Sequence, residues 1–139
     1  MFRGIPYTKV TGAFDLTGKV AIVIGGAGGI GEATARMYAA KGAKIVIADC
    51  KDTCEEVASA ITKDTGAEAI GIKTDVTSQE SVDNLVAKTV EQFGEINILA
   101  AMPGFVDLYR ATDIDISCIE KHININAVVG IWIVRFRKD

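Results

Sequence analysis

The chain has 139 residues, which predicts a single domain, and 49% of them are hydrophobic, enough for a substantial core. Its net charge of −3, from 15 basic and 18 acidic residues, gives no electrostatic basis for binding nucleic acid or an anionic membrane. The longest apolar run, Ala127–Val134, is too short to cross a bilayer.

The start of the chain and its cysteines indicate a reduced, cytoplasmic protein. Residues 1–15 lack the apolar stretch of a secretory signal, so we expect an irregular lead-in before one domain over residues 16–139. The cysteines and the single histidine fit neither a disulfide framework nor a metal site, so we predict free thiols and no metal. These residues are Cys50, Cys54, Cys118 and His122, and a redox pair of Cys50 and Cys54 is the minor alternative.

Strand and helix patterns alternate from the first element onward. A buried strand over Val20–Ile24 meets five glycines in seven positions, and a helix over Ile30–Lys41 follows, which Gly42 ends. The later elements continue the alternation. They are the strand Lys44–Asp49, a helix from a Thr53/Glu56 capping box to about Lys63, the strand Ala69–Lys73, a helix capped by Thr77 or Ser78 and closed by Gly94, the strand Ile96–Ala101, a loop opened by Pro103, and a helix from Ile116 to about Val134.

Helical crossovers between successive strands predict an α/β fold, a parallel sheet with helices on both faces. Right-handed crossovers with one reversal give the strand order 3-2-1-4. Ligands of such sheets bind at the carboxyl ends of the strands, where strands one and four meet at the reversal. The glycine turn follows strand one and therefore lies at this position.

The glycine turn is the strongest indication of function. Glycines allow a tight turn and a close approach of the backbone to a pyrophosphate, which then faces the N–H groups of a helix N-terminus. Gly26, Gly28 and Gly31 fit the general dinucleotide fingerprint, whereas Gly25, Gly29 and Gly31 fit a different spacing. We predict a dinucleotide-binding turn, and the alternative is a turn that only packs the strand on the helix.

Two acidic residues support this interpretation. Asp49 ends strand two, where its carboxylate can accept hydrogen bonds from ribose hydroxyls and would repel a 2′-phosphate. NAD is therefore favoured over NADP, with Lys51 as the only nearby cation, and a solvated loop acid is the alternative for Asp49. Asp75, followed by Val76, is placed to receive an adenine amino group, or else serves as a turn acid or helix cap.

Together these motifs resemble those of the short-chain dehydrogenase/reductase family from about Leu16 to Ala127. The residues that carry the resemblance are Gly25-x-x-x-Gly29-Ile30-Gly31, Asp49, Asp75-Val76-Thr77 and Asn126 within His122-Ile123-Asn124-Ile125-Asn126. The resemblance implies a truncated Rossmann-type doubly wound sheet and NAD(H) bound for hydride transfer to or from a small alcohol or carbonyl substrate. The cofactor-binding set is Gly25, Gly28, Gly29, Ile30, Gly31, Asp49, Cys50, Asp75 and Val76, and Asn126 takes the family role of helping to hold a water and the catalytic lysine.

Three departures from the family pattern bear on chemistry. Ile24 stands where the family places a threonine before the first glycine, and Ala101-Met102-Pro103-Gly104 replaces Asn-Asn-Ala-Gly after strand four. The family's catalytic Tyr-x-x-x-Lys pair occurs nowhere in the sequence. In the family that tyrosine is the general acid/base of hydride transfer, so its absence removes the expected proton donor.

We therefore expect an NAD-binding, oxidoreductase-type chain that is truncated before its catalytic pair and has weak or absent activity of its own. The alternative is a non-catalytic dinucleotide-binding or interaction module that pairs with itself or with a full-length relative. A third hypothesis is an enzyme that borrows His122, Asp107 or Tyr109 as acid or base across a dimer. Strand four lacks a fifth strand beside it, so its apolar edge favours a homo-oligomer.

Overall fold

The chain folds into a four-stranded parallel sheet that helices cover on both faces. The computed structural model describes residues 14–108, 110 and 112–128. The elements in chain order are β1 (Val20–Ile24), α1 (Gly29–Ala39), β2 (Lys44–Asp49), α2 (Cys54–Thr65), β3 (Ala69–Lys73), α3 (Gln79–Phe93), β4 (Ile98–Ala101) and α4 (Ile116–Ile123), which continues as a π-helical segment, Asn124–Val128. Every strand and helix predicted within these residues is therefore present.

The strand order is β3-β2-β1-β4, all parallel, which confirms the predicted topology. Ile24 at the end of β1 pairs with Ala48 of β2 and Ala101 of β4. The carboxyl ends of the three strands therefore finish level with one another. In parallel sheets of this order a ligand crevice lies at this edge, where the strand order reverses between the first and fourth strands.

The core has two layers because alternate residues of a strand point to opposite faces. On one face Ala21 and Val23 pack with residues of α1 and α2, and on the other Ile22 and Ile24 pack with Leu85 of α3. Every residue of β1 is buried, as expected for the central strand of a parallel sheet. Burial of each large aliphatic side chain contributes roughly 1.5–3 kcal/mol to folding.

Helix ends differ from the sequence prediction in two places. The Thr53/Glu56 capping box is wrong: α2 begins after Thr53, but this residue has φ −85° and ψ 5° and its side chain makes no capping hydrogen bond. A side chain can cap a helix only when the backbone of its residue is extended. Ser78 at the start of α3 has such a backbone (φ −106°, ψ 117°), and its hydroxyl accepts from the Ser81 N–H. Helix α1 ends at Ala39, with Ala40 as its cap, and Gly42 lies two residues beyond that cap.

Strand β4 is shorter than predicted because it begins at Ile98 instead of Ile96. Asn97 precedes it and binds the start of β1 twice: its N–H donates to the Val20 carbonyl (3.0 Å) and its side-chain oxygen accepts from the Val20 N–H (2.8 Å). The last helix, predicted to reach Val134, begins at Ile116 as expected and changes to π-helix at Asn124. The rest of that prediction lies outside the described residues.

Helix α4 differs from the other helices because none of its residues is buried. Three isoleucines spaced along it are exposed: Ile116, Ile119 and Ile123. No helix within residues 14–128, as far as the structure describes them, is long and apolar enough to cross a membrane.

Candidate functional site

The carboxyl ends of all four strands open into one cleft of about 620 Å³, within the usual size of a small-molecule site. Its lining comprises Ile24, Gly25, Gly28, Gly29, Ile30, Gly31, Asp49, Cys50, Lys51, Thr74, Asp75, Val76, Thr77, Met102, Pro103, Gly104, Phe105, Lys121 and Ile125. All nine residues predicted to bind a cofactor are in this set. The structure therefore brings them together at the predicted edge of the sheet.

At Gly25 and Gly31 the glycine turn is packed so closely that no side chain would fit. Gly25 has φ +74°, and a Cβ there would collide with the Met102 carbonyl oxygen of the loop after β4. Gly31 lies so close to Gly25 that a Cβ at Gly31 would meet the Gly25 carbonyl. The N–H groups of Gly25 and Gly26 both donate to the Ala48 carbonyl, at 2.8 and 3.1 Å, which ties the turn to β2.

The N-terminus of α1 faces the cleft without a side-chain cap. Gly28 is the N-cap residue, and the Glu32 N–H donates to its carbonyl at 3.2 Å. The N–H groups of Gly29, Ile30 and Gly31 precede this bond, so they lack partners in the helix and are suited to an anion. The acidic Glu32 in the first turn is bound by Arg36 at 2.9 Å, which offsets its charge.

Asp49 links the glycine turn to the turn after β2. One carboxylate oxygen, Oδ2, accepts from the Ala27 N–H at 3.1 Å, and the other, Oδ1, accepts from the Lys51 N–H at 3.3 Å and the Cys50 thiol at 3.5 Å. A carboxylate has about four lone-pair sites, so it keeps capacity to accept a hydroxyl of a ligand. The carboxylate is thus an acceptor already oriented by the protein.

The two cysteines near Asp49 are poor nucleophiles. Burial raises the pKa of the Cys50 thiol above its ordinary value, and the hydrogen bond to Asp49 and the negative charge of Asp49 raise it further. Burial and the Asp49 charge likewise raise the pKa of Cys54, whose thiol donates to the Lys51 carbonyl at 3.2 Å. Both cysteines are free, and their raised pKa values disfavour the thiolate that redox chemistry requires.

Asp75 performs the turn function that the sequence left open, while also lining the cleft. Its Oδ1 accepts from the Thr77 hydroxyl at 2.7 Å and the Thr77 N–H at 2.9 Å, which holds the pKa of Asp75 below its ordinary value. The preceding Thr74 donates its N–H to the Asp49 carbonyl at 2.8 Å. This bond continues the β2–β3 ladder and places the two acids at adjacent strand ends.

Asn126 lies beside the cleft and not in its lining. Its amide binds the backbone of Phe105 twice: Oδ1 accepts from the Phe105 N–H and Nδ2 donates to the Phe105 carbonyl, both at 3.0 Å. Asn126 belongs to the π-helical segment, a distortion often found near functional sites. In this structure it supports the cleft wall formed by the loop after β4.

The part of the lining that comes from that loop and from α4 was not predicted from the sequence. Phe105, Lys121 and Ile125 belong to this wall. The Lys121 ammonium lies 4.6 Å from the centre of the Phe105 ring. Lys121 and Ile125 are four apart, so helical spacing places them on one side, but nothing in the sequence shows that this side faces the cleft.

Among the residues that the structure describes, no group of acids, cysteines and histidine could hold a metal ion.

Comparisons with known proteins identify relatives for nearly the whole chain. A protein-family model described as short chain dehydrogenase matches residues 19–136. The chain is 40% identical over 89 residues to cis-4-hydroxycyclohexanecarboxylate dehydrogenase of Sinomonas cyclohexanicum, covering 64% of this chain and 35% of the relative. It is 33% identical over 113 residues to NAD-dependent glycerol dehydrogenase of Listeria innocua. This match covers 81% of this chain and 43% of the relative.

Solved structures show the same fold. A crystal structure of a short chain dehydrogenase from Mycobacterium smegmatis superposes with a TM-score of 0.78 and 29% sequence identity, over 93% of this chain and 55% of that one. The chain thus spans 35% and 43% of the two curated relatives and about half of the solved structure.

Proposed function

The chain belongs to the short chain dehydrogenase family, and on that premise we propose that it binds NAD(H) in the cleft at the carboxyl ends of its strands. The observation that carries the proposal is the Asp49 carboxylate, oriented by the glycine turn on one side and the β2–α2 turn on the other. An oriented acceptor beside a glycine-lined helix N-terminus matches the needs of a ribose next to a pyrophosphate.

The glycine turn supplies the phosphate end of the proposed site. Gly29 has φ +55° and open space where a side chain would begin, so its backbone is accessible to a ligand. The free N–H groups at the start of α1 and the positive end of the helix dipole would stabilise the pyrophosphate charge. When bound, NAD supplies a nicotinamide ring that accepts or donates a hydride.

The two acids supply the adenosine end and favour NAD over NADP. The charge of Asp49 would repel a 2′-phosphate, whereas its free lone pairs accept ribose hydroxyls. Asp75 uses Oδ1 for Thr77, which leaves Oδ2 to accept from an adenine amino group. The relative from Listeria innocua is NAD-dependent, which agrees with this preference.

We further propose that this chain alone has weak or no hydride-transfer activity. The family's Tyr-x-x-x-Lys pair is absent from the sequence, and Asn126 uses its amide to hold Phe105. His122 is a poor substitute base because both of its ring nitrogens bind backbone groups. A small alcohol or carbonyl substrate would therefore lack the usual proton partner.

The alternative, an interaction module that pairs with itself or with a longer relative, is favoured by one observation. Within the described residues β4 has a strand neighbour on one side only, and the isoleucines of α4 remain exposed. A second copy of this chain could cover both surfaces, and nucleotide binding is compatible with such pairing.

The test of NAD binding replaces Asp49 and compares two nucleotides. Asp49→Ala should weaken NAD⁺ binding roughly tenfold or more, because hydrogen bonds to a charged acceptor are lost, while leaving NADP⁺ binding equal or stronger. The matched control is Asp52→Ala in the same turn, whose side chain is 87% exposed and binds Lys73. Calorimetric titration measures all affinities, and unchanged NAD⁺ affinity in Asp49→Ala would contradict the assignment.

A further inference from the structure

The loop after β4 forms one wall of the cleft and is fastened to α4 at two points. Met102, Pro103, Gly104 and Phe105 line the cleft. The first is the pair of hydrogen bonds between the Asn126 amide and the Phe105 backbone. The second lies two residues farther along the loop, where the Asp107 N–H donates to Nε2 of His122 at 3.3 Å. One of the two points that hold this wall is therefore an imidazole ring.

The partners of His122 allow only one tautomer of the neutral ring. Its Nδ1 lies 2.7 Å from the Cys118 carbonyl oxygen, which can only accept, so Nδ1 must carry the hydrogen. Its Nε2 faces the Asp107 N–H, which can only donate, so Nε2 must be unprotonated. A second proton would set two N–H groups against each other and break the contact with the loop.

The ring also packs on the residue that forms the cleft wall. The centres of the His122 and Phe105 rings are 4.4 Å apart with an interplanar angle of 32°, and the Lys121 ammonium lies 4.6 Å from the same Phe105 ring. His122 is half-buried by these contacts. It thus contacts the loop through Nε2 and its ring face, while Nδ1 binds a carbonyl of its own helix.

We propose that His122 is a positioning residue whose neutral, Nδ1-protonated ring fastens the loop after β4 to α4 and thereby holds one wall of the cleft in place for the nucleotide. This inference rests on the proposed function, since it names the group that keeps the NAD(H) cleft closed on this side. A second proton on the ring releases the loop, so nucleotide affinity falls on acidification.

Charged or titratable residues surround His122. The Lys121 ammonium shares the Phe105 ring with it, and Asp107 supplies the N–H that binds Nε2. Cys118, one turn earlier on α4, supplies the carbonyl that binds Nδ1. Histidine is the side-chain type that ordinarily changes charge between about pH 5 and 8, and this chain contains one histidine.

The first test needs neither a variant nor a ligand. Nitrogen-15 NMR of the single imidazole of the unmodified chain, recorded at about pH 8, above the ordinary pKa of histidine, reports the tautomer of the neutral ring. The expected spectrum shows hydrogen on Nδ1 and none on Nε2. A ring protonated mainly on Nε2, or a free mixture of both forms, would overturn the proposal.

The second test measures NAD⁺ affinity by calorimetry at about pH 8 and about pH 5.5, on either side of the ordinary histidine range. The unmodified chain should lose roughly three- to tenfold in affinity on acidification, the equivalent of about one hydrogen bond. His122→Phe keeps a ring against Phe105 but has no acceptor, so it should bind weakly at both pH values. His122→Gln keeps a hydrogen-bond acceptor that does not titrate. The NAD⁺ affinity of this variant should therefore stay near that of the unmodified chain at pH 8, at both pH values.

The pH profile separates positioning from a general effect on stability. A variant that only loosened the fold would lower affinity without flattening its pH dependence. The same pH dependence in the unmodified chain and in His122→Phe would overturn the inference. If the unmodified chain binds no NAD⁺ at either pH, the proposed function fails, and the tautomer spectrum decides by itself whether His122 fastens the loop.

Discussion

Close backbone packing makes Gly31 indispensable to the glycine turn. A Cβ at Gly31 would collide with the Gly25 carbonyl, so Gly31→Ala must move the turn. We expect a loss of roughly 1–3 kcal/mol in the free energy of unfolding, as for other overpacked sites, together with loss of NAD⁺ binding. Urea denaturation and calorimetric titration measure the two effects.

The control for this prediction is Gly66→Ala at the end of α2. Gly66 has φ +77° and no atom within 4 Å of an added Cβ. Alanine at this position is therefore destabilising only through the left-handed backbone conformation. We expect a loss of about 1–2 kcal/mol in stability and unchanged NAD⁺ affinity. Parent-like nucleotide binding by Gly31→Ala would show that the turn does not contact the ligand as proposed.

The Cys50 thiol gives a second residue-level prediction. Its raised pKa leaves less thiolate at pH near 7.5 than free cysteine has, so alkylation by iodoacetamide should be slow. Asp49→Asn removes the nearby negative charge and should speed the reaction. NAD⁺ should protect Cys50 in the cleft but not Cys118 on α4, as measured by mass spectrometry of the alkylated peptides. Equal labelling of Cys50 with and without NAD⁺ would contradict its place in the site.

Among the elements, the helix starts allow a matched pair of substitutions. Ser78→Ala removes the hydroxyl that accepts from the Ser81 N–H, so α3 should lose about 1 kcal/mol of stability. Thr53→Ala removes a hydroxyl that makes no capping bond at α2 and should cost much less. Thermal or urea unfolding compares the two variants, and equal losses would show that the observed cap geometry does not govern stability.

The elements also show how far sequence patterns determine this fold. Buried apolar runs and glycine stops predicted the four strands and their order, because alternation and crossover handedness leave few topologies. The start of β4 was missed because it depends on the Asn97 side chain, which pairs with Val20 in place of a strand residue. The Thr53 cap failed for a related reason: a sequence pattern does not specify backbone angles.

The same limit applies to the site. Asp49 and Asp75 were predictable because each lies at the carboxyl end of a strand, and parallel strands bring such positions to one edge. Phe105 and Lys121 were not, because they reach the cleft only through the path of the loop after β4. His122 was predicted only as an acid or base borrowed across a dimer, and its packing against Phe105 depends on that same path.

For the molecule as a whole, the exposed side of α4 predicts self-association. Ile116 is 72% exposed at the start of this helix, and β4 pairs with β1 alone among the described strands. Sedimentation velocity should therefore find a species larger than a monomer, and Ile116→Lys should shift it toward the monomer because a charge opposes apolar contact. Thr62→Lys, which adds the same charge on α2, should leave the distribution unchanged. A monomeric parent chain would contradict this expectation.

The central claim is that four strand ends and a glycine turn form an NAD(H) site, and direct titration tests it best. Calorimetry on the unmodified chain at neutral pH should show saturable binding of NAD⁺ and NADP⁺ binding at least about tenfold weaker, because Asp49 repels the added phosphate. Equal or stronger binding of NADP⁺ would contradict the assignment of Asp49. Absence of NAD⁺ binding by a chain that circular dichroism shows to be folded would contradict the site itself.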